Sequence, residues 1–187
     1  MRVGVVYFGG QYNHLISKLL KNLGVDVIVI EPNIPPDKID TDCLILGGGP
    51  YSVYRDLELM GYAKDYVLNL HIPKLGICLG HELIAHVLGG SVRKALRPEY
   101  GLTEIKVIEE DTLFKELPKV LKVWESHSDE VDKEPYGFKV LAYSENAKVQ
   151  AMVNNDESIF GVQFHPEVKH TEYGIEIYKN FLSICRK

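Results

Sequence analysis

Two short segments carry residues whose types and spacing suit covalent catalysis. The first is Gly76-Ile77-Cys78-Leu79-Gly80, which follows a short apolar run and precedes a helix-like pattern from about Leu79 to Leu88. A thiol between two glycines at a strand–helix junction reads as a nucleophile elbow, the cysteine counterpart of G-x-S-x-G. The glycines relieve crowding at a sharp turn. The helix N-terminus beside Cys78 would favour its thiolate. Most free cysteines are simply small buried residues, but this setting reverses that reading. Cys43 and Cys185 lack such a setting and read as structural. The second segment is Gly161-Val162-Gln163-Phe164-His165-Pro166-Glu167. Positions two apart in an extended chain point the same way, so Glu167 can orient the His165 ring. Such a pair on its own is usually a surface ion pair. Beside a cysteine elbow it predicts a Cys-His-Glu triad for acyl transfer.

A third segment, Gly47-Gly48-Gly49-Pro50, ends a neighbouring strand. It lacks the Lys-Ser/Thr ending of a phosphate loop. The Gly49 N–H could instead join the Leu79 N–H as an oxyanion hole.

These segments need a frame that brings strand ends together. Val3–Tyr7, Val25–Ile30, Cys43–Leu46 and Leu75–Ile77 are short, continuous apolar runs. Helical patterns lie between them: Leu15, Ile16, Leu19, Leu20 and Leu23 at helical spacing, then about Asp56–Leu70 with Gly61 inside it. Buried strands alternating with helices predict an α/β three-layer sandwich, with a mostly parallel central sheet and helices on both faces. The second half reads as an added antiparallel β region: Val92, Thr103–Ile108, Val120–Trp124, Phe138–Tyr143, Lys148–Val153 and Ile159–Phe164. A helix over 172–185 follows.

The chain has 187 residues, which suggests a single domain spanning 1–187. Hydrophobic residues are 45% and charged residues 25%, with net charge −5 and no dense basic block, so a nucleic-acid partner is not expected. No apolar run matches a membrane span, and the N-terminus lacks a signal-peptide pattern, which points to the cytoplasm. Three widely spaced cysteines argue against a disulfide framework, and no CxxC or HxxxH pair suggests a metal.

Together these motifs resemble the class I glutamine amidotransferases over nearly the whole chain: the elbow G-I-C-L-G-H-E, the G-G-P loop and F-H-P-E occur in that family's order. Within the family, Phe8-Gly9-Gly10-Gln11-Tyr12, Trp124-Glu125-Ser126-His127-Ser128-Asp129-Glu130-Val131 and His165-Pro166-Glu167-Val168-Lys169-His170-Thr171 resemble the amidotransferase domains of GMP synthetases. Anthranilate-type relatives usually continue H-P-E-S. The resemblance implies hydrolysis of L-glutamine through a Cys78 thioester, with Glu82, Ser128, Asp129 and Tyr51 near the substrate. It implies no cofactor in this subunit. The partner would be an ATP-pyrophosphatase, XMP-binding synthetase subunit carrying ATP and Mg²⁺, because the chain stops at Lys187 like a separate archaeal-type subunit. His127, Lys169 and His170 become candidates for that interface. Many relatives carry Gln where Glu82 stands, and an ionised carboxylate can only accept hydrogen bonds. A glutaminase subunit serving another acceptor and a DJ-1/PfpI-like cysteine protein are the alternatives.

Overall fold

In the computed structural model, residues 1–110 and 112–186 are described. The first half builds β1 (Arg2–Val6), α1 (Asn13–Asn22), β2 (Asp26–Ile30), β3 (Cys43–Leu46), α2 (Val53–Asp56), α3 (Ala63–Asn69), β4 (Lys74–Ile77) and α4 (Leu79–Val87). The second half adds β5 (Ser91–Val107), β6 (Val120–Lys133), β7 (Phe138–Ser144), β8 (Ala151–Asn154), β9 (Ile159–Val162) and α5 (Gly174–Cys185). All nine strands join one sheet in the order β2-β1-β3-β4-β9-β8-β7-β5-β6. The strands from β2 to β9 pair in parallel, and those beyond β9 pair antiparallel. The expected α/β architecture is therefore present, with the parallel part confined to one half of a mixed sheet.

Alternate strand residues point to opposite faces, and both faces are apolar. Val3, Val5, Ile45 and Leu75 pack with Ile16 and Leu20 of α1 and with Tyr178 and Phe181 of α5. Val6, Leu44 and Leu46 pack with Tyr66 and Val67 of α3 and with Leu83 and Ile84 of α4. Helices therefore cover both faces. Each large side chain buried in this way contributes roughly 1.5–3 kcal/mol relative to exposure.

The helix expected over about 56–70 is interrupted. A 3₁₀ turn spans Leu57–Met60, and Gly61 turns the chain at φ +58°. A Cβ on Gly61 would lie 2.3 Å from the Pro32 carbonyl oxygen, so the break is built into the packing. Beyond α4, the strands at Val92 and Thr103–Ile108 form one irregular β5, with register shifts between Lys94 and Glu99. Strand β6 runs straight through Ser126–Asp129.

One expectation about the cysteines is overturned. Cys43 and Cys185 form a disulfide, with Cα atoms 5.7 Å apart and 142 residues between them in sequence. It ties the last turn of α5 to the start of a central strand. Spacing gave no hint of it, because the pairing depends on which sheet face receives the last helix. Disulfides closing loops of this kind typically stabilise by about 2–4 kcal/mol. Thiol titration of the unreduced, denatured chain is expected to find Cys78 as its single free thiol. Cys185→Ser is expected to lower stability by about 2–4 kcal/mol in urea unfolding. Three titratable thiols would contradict the pairing.

Candidate active site

The elbow forms as a strained turn. Cys78 has φ 52° and ψ −101°, outside the ordinary regions for an L-residue. Its flanks leave no room for side chains: a Cβ on Gly80 would lie 2.1 Å from the Leu46 carbonyl oxygen, and one on Gly76 would meet Gly80 at 2.5 Å. The β4–β9 register pairs Ile77 with Val162, and the Cys78 N–H donates to the Val162 carbonyl at 2.9 Å. Gln163 therefore comes to lie beside the thiol, and His165 emerges just beyond the end of β9.

The loop carrying His165 is clamped onto β6. The His165 N–H donates to the Trp124 carbonyl at 2.9 Å, and the Trp124 N–H donates to Thr171 Oγ1 at 2.9 Å. Thr171 Oγ1 in turn donates to the His165 carbonyl at 2.8 Å. The Tyr12 ring meets the imidazole edge-on, with centroids 4.9 Å apart, and its hydroxyl accepts from Trp124 Nε1 at 3.1 Å. His165 Nδ1 donates to Glu167 Oε2 at 2.6 Å. That bond assigns the hydrogen to Nδ1 and leaves Nε2 as the base. Tyr178 donates to the other Glu167 oxygen at 3.3 Å. The His165–Glu167 half of the predicted triad is thus formed and almost fully buried.

Cys78 and His165 line one cavity of ≈ 270 Å³, together with Tyr12, Gly48, Gly49 and Ser126. No hydrogen bond joins the thiol to the imidazole among the described residues. Instead Sγ donates to the Ser126 carbonyl at 3.7 Å and receives Gln163 Nε2 at 3.8 Å. The expected thiolate bias is also reversed. Burial pushes the Cys78 pKa well up, and Glu82, Glu125 and Glu167 push the same way; the Leu79 N–H is the group favouring the thiolate. Burial and the surrounding carboxylates thus favour the thiol form of Cys78. A larger cavity of ≈ 700 Å³ lies between α1 and the outer side of the 166–171 loop, but the nucleophile is not in it.

The G-G-P loop is held by a residue the motifs did not single out. Asn13 accepts from the Gly48 N–H at 2.9 Å and donates to the Gly48 carbonyl at 3.0 Å. Gly48 is thereby committed; Gly49 lines the cavity, and Leu79 does not.

The substrate candidates are placed less directly. Glu82, Ser128, Asp129 and Tyr51 are not among the residues lining the cavity; Glu82 and Asp129 are buried and Ser128 is exposed. Tyr54 donates to Asp129 Oδ1 at 2.9 Å, tying the segment after β3 to β6. Glu82 is buried and accepts from Gln163 Nε2 at 2.8 Å. Burial, reinforced by Asp129, raises its pKa to about 8 against the Gln163 hydrogen bond. That shift favours the carboxylic-acid form at neutral pH, which can donate as well as accept; only the ionised form is acceptor-only. His127 is a further correction: it is buried and bonded to Glu99 instead of facing a partner. Lys169 and His170 are exposed, as an interface role requires.

This geometry is that of a cysteine amidotransferase, and the likeness to known proteins agrees. The sequence pattern described as "Glutamine amidotransferase class-I" matches residues 4–185. The chain belongs to the class I glutamine amidotransferases. Among its relatives, the glutamine-hydrolyzing GMP synthase subunit of Sulfolobus acidocaldarius is 62% identical, with 100% of each chain covered. The corresponding protein of Archaeoglobus fulgidus is 43% identical over the same full coverage. A crystal structure from Thermoplasma acidophilum matches with a TM-score of 0.94 at 37% identity, covering 100% of this chain and 94% of that one. A Thermotoga maritima glutamine amidotransferase shares the fold, with a TM-score of 0.77 at 23% identity over 98% and 81% of the two chains.

The state of Glu82 has a pH signature. Below about pH 8 the group is neutral; above it a carboxylate appears near Cys78 and opposes the thiolate. Alkylation of Cys78 is expected to run at similar rates in wild type and Glu82→Gln at about pH 6.5, and faster in Glu82→Gln at about pH 9.5. A rate ratio unchanged between those pH values would contradict this.

Proposed function

We propose that the chain is a glutaminase acting as the amidotransferase half of a GMP synthase. The observation carrying this reading is that His165, bonded to the buried Glu167, lines the same small cavity as Cys78 on its strained turn. Identity of 62% over the full length with a glutamine-hydrolyzing GMP synthase subunit supports the choice of acceptor pathway.

Glutamine enters the cavity with its carboxamide over the elbow. Cys78 Sγ leaves the Ser126 carbonyl, passes its proton to His165 Nε2 and attacks the carboxamide carbon. The Gly49 and Leu79 N–H groups hold the oxyanion. Glu167 stabilises the imidazolium, which then protonates the departing ammonia. A γ-glutamyl thioester remains; His165 activates water, and glutamate leaves. By the family resemblance, backbone groups of Ser128 and Asp129 hold the amino-acid end of the substrate, with Glu82 and Tyr51 nearby. This subunit needs no metal or cofactor for these steps.

Ammonia passes to a partner subunit, an ATP-pyrophosphatase that binds ATP, Mg²⁺ and XMP. Lys169 and His170 lie on the loop that carries Glu167, and His170 packs on Trp124 with ring centroids 5.0 Å apart. A partner touching this loop would therefore act on the clamp holding His165. A DJ-1/PfpI-like reading is disfavoured because the histidine comes from the segment after β9. A glutaminase feeding another acceptor shares every step above except the last.

The test measures ammonia release from glutamine by the chain alone, and then with a matching synthetase partner, ATP-Mg²⁺ and XMP. Release is expected to rise on assembly and to match GMP formed. Cys78→Ala is expected to abolish both while leaving the fold intact. Coupled release without GMP would assign another acceptor, and an active Cys78→Ala would overturn the chemistry.

A further inference from the structure

Behind the substrate strand lies a second group of ionisable side chains that the glutaminase steps do not use. Glu99 on β5 sits opposite His127 on β6, and Glu125 precedes His127 by two residues, on the same side of β6. Glu99, Glu125 and His127 are all buried, and their ligating atoms lie within 4.8 Å of one another. Ser126, between them in sequence, points the other way into the catalytic cavity.

The hydrogen bonds fix where protons must be. His127 Nδ1 lies 2.6 Å from the Asp129 carbonyl oxygen, which can only accept, so Nδ1 carries a hydrogen. His127 Nε2 lies 2.7 Å from Glu99 Oε1, a contact that requires a proton between the two. The other Glu99 oxygen is already taken by Ser144 at 2.7 Å, and Gln150 Nε2 donates to Oε1 at 2.8 Å. Glu99 is therefore well served as an anion. Glu125 is not: neither of its oxygens receives a hydrogen bond from a protein donor among the described residues, although it is fully buried. An ionised Glu125 would be a second carboxylate sharing the one imidazole, 3.7 Å from His127 Nε2 and without a hydrogen-bond donor of its own, which is unfavourable. A protonated Glu125 beside Glu99 removes that charge and supplies its own donor.

We propose that Glu99, Glu125 and His127 hold a shared proton inside the protein and act as positioning residues for glutamine, by fixing the course of Ser126–Asp129. The link to the substrate is direct in the backbone. His127 is bonded to the Asp129 carbonyl, and the Ser126 carbonyl is the partner of the Cys78 thiol. The role in glutamine binding rests on the glutaminase reading above; the protonation state does not. The titratable groups facing Glu125 are Glu99 from β5, His127 from β6 and Cys78 from the elbow, with His81 of α4 within electrostatic range of His127. Burial first, then Glu99, raises the Glu125 pKa well above the carboxylate range. The sign follows. Stability from this group is fully present below the ordinary carboxylate range and is lost as pH rises and the proton departs to solvent.

Infrared spectra of the intact chain at neutral pH are expected to show a protonated-carboxyl band that weakens in Glu125→Gln. The same variant, neutral at every pH, is expected to gain in Tm relative to wild type as pH rises from about 4.5 to about 9. Glu99→Gln is expected to raise KM for glutamine about tenfold with a smaller change in kcat. A Tm difference independent of pH, or an unchanged band in Glu125→Gln, would overturn the shared proton. Stoichiometric metal in the purified chain would overturn it as well, because a cation would then neutralise the cluster. Equal KM in wild type and Glu99→Gln, with the band and Tm results intact, would overturn the positioning role alone. Loss of glutaminase activity in every variant and in wild type would instead count against the functional reading, leaving the infrared and Tm results to judge the proton.

Discussion

The chain's chemistry depends on the pairing of β4 with β9. Residues 78–158 separate these neighbours in sequence, yet Leu75 lies opposite Phe160 and Ile77 opposite Val162. That register sets Gln163 beside Cys78 and lets His165 leave the sheet at the same end as the elbow. A shift by one residue would turn every β9 side chain to the other face. The strained Cys78 backbone is held by the Val162 carbonyl and by two glycines that allow α4 to approach the sheet. The antiparallel half of the sheet then contributes β6, whose backbone grips the His165 loop from the other side. Position and strain are therefore set by the sheet, and the reactive groups need little local structure of their own.

Electrostatics around the thiol run against ready ionisation. Glu82, Glu125 and Glu167 all disfavour a Cys78 anion, and burial adds to them. Neutral forms of Glu82 and Glu125 limit this opposition, and both follow from burial near other carboxylates. The thiol, favoured by this surrounding, donates to the Ser126 carbonyl.

Much of this was legible from local pattern. The elbow, the His165–Glu167 pair, the G-G-P loop and the α/β layering each rest on short-range spacing that survives folding unchanged. What stayed hidden depends on distant contacts. Asn13 reads as an ordinary helix-start residue until β3 places Gly48 against it. The Cys43–Cys185 disulfide needs the final position of α5. His127 sits in a polar run that suggests a surface, but β5 covers it with Glu99. Sequence alone could set the Leu79 N–H beside Cys78, but it could not weigh that against three buried carboxylates brought in from α4, β6 and the loop after β9.

The most direct measurement of the central claim is the mass of Cys78 during turnover. The chain, assembled with its synthetase partner and mixed with glutamine, would be quenched in acid and digested. The account predicts a γ-glutamyl adduct on the peptide carrying Cys78, lost on standing as glutamate is released and absent from Cys78→Ala. Glutamine hydrolysis with no adduct on Cys78, or with an adduct on another residue, would contradict it.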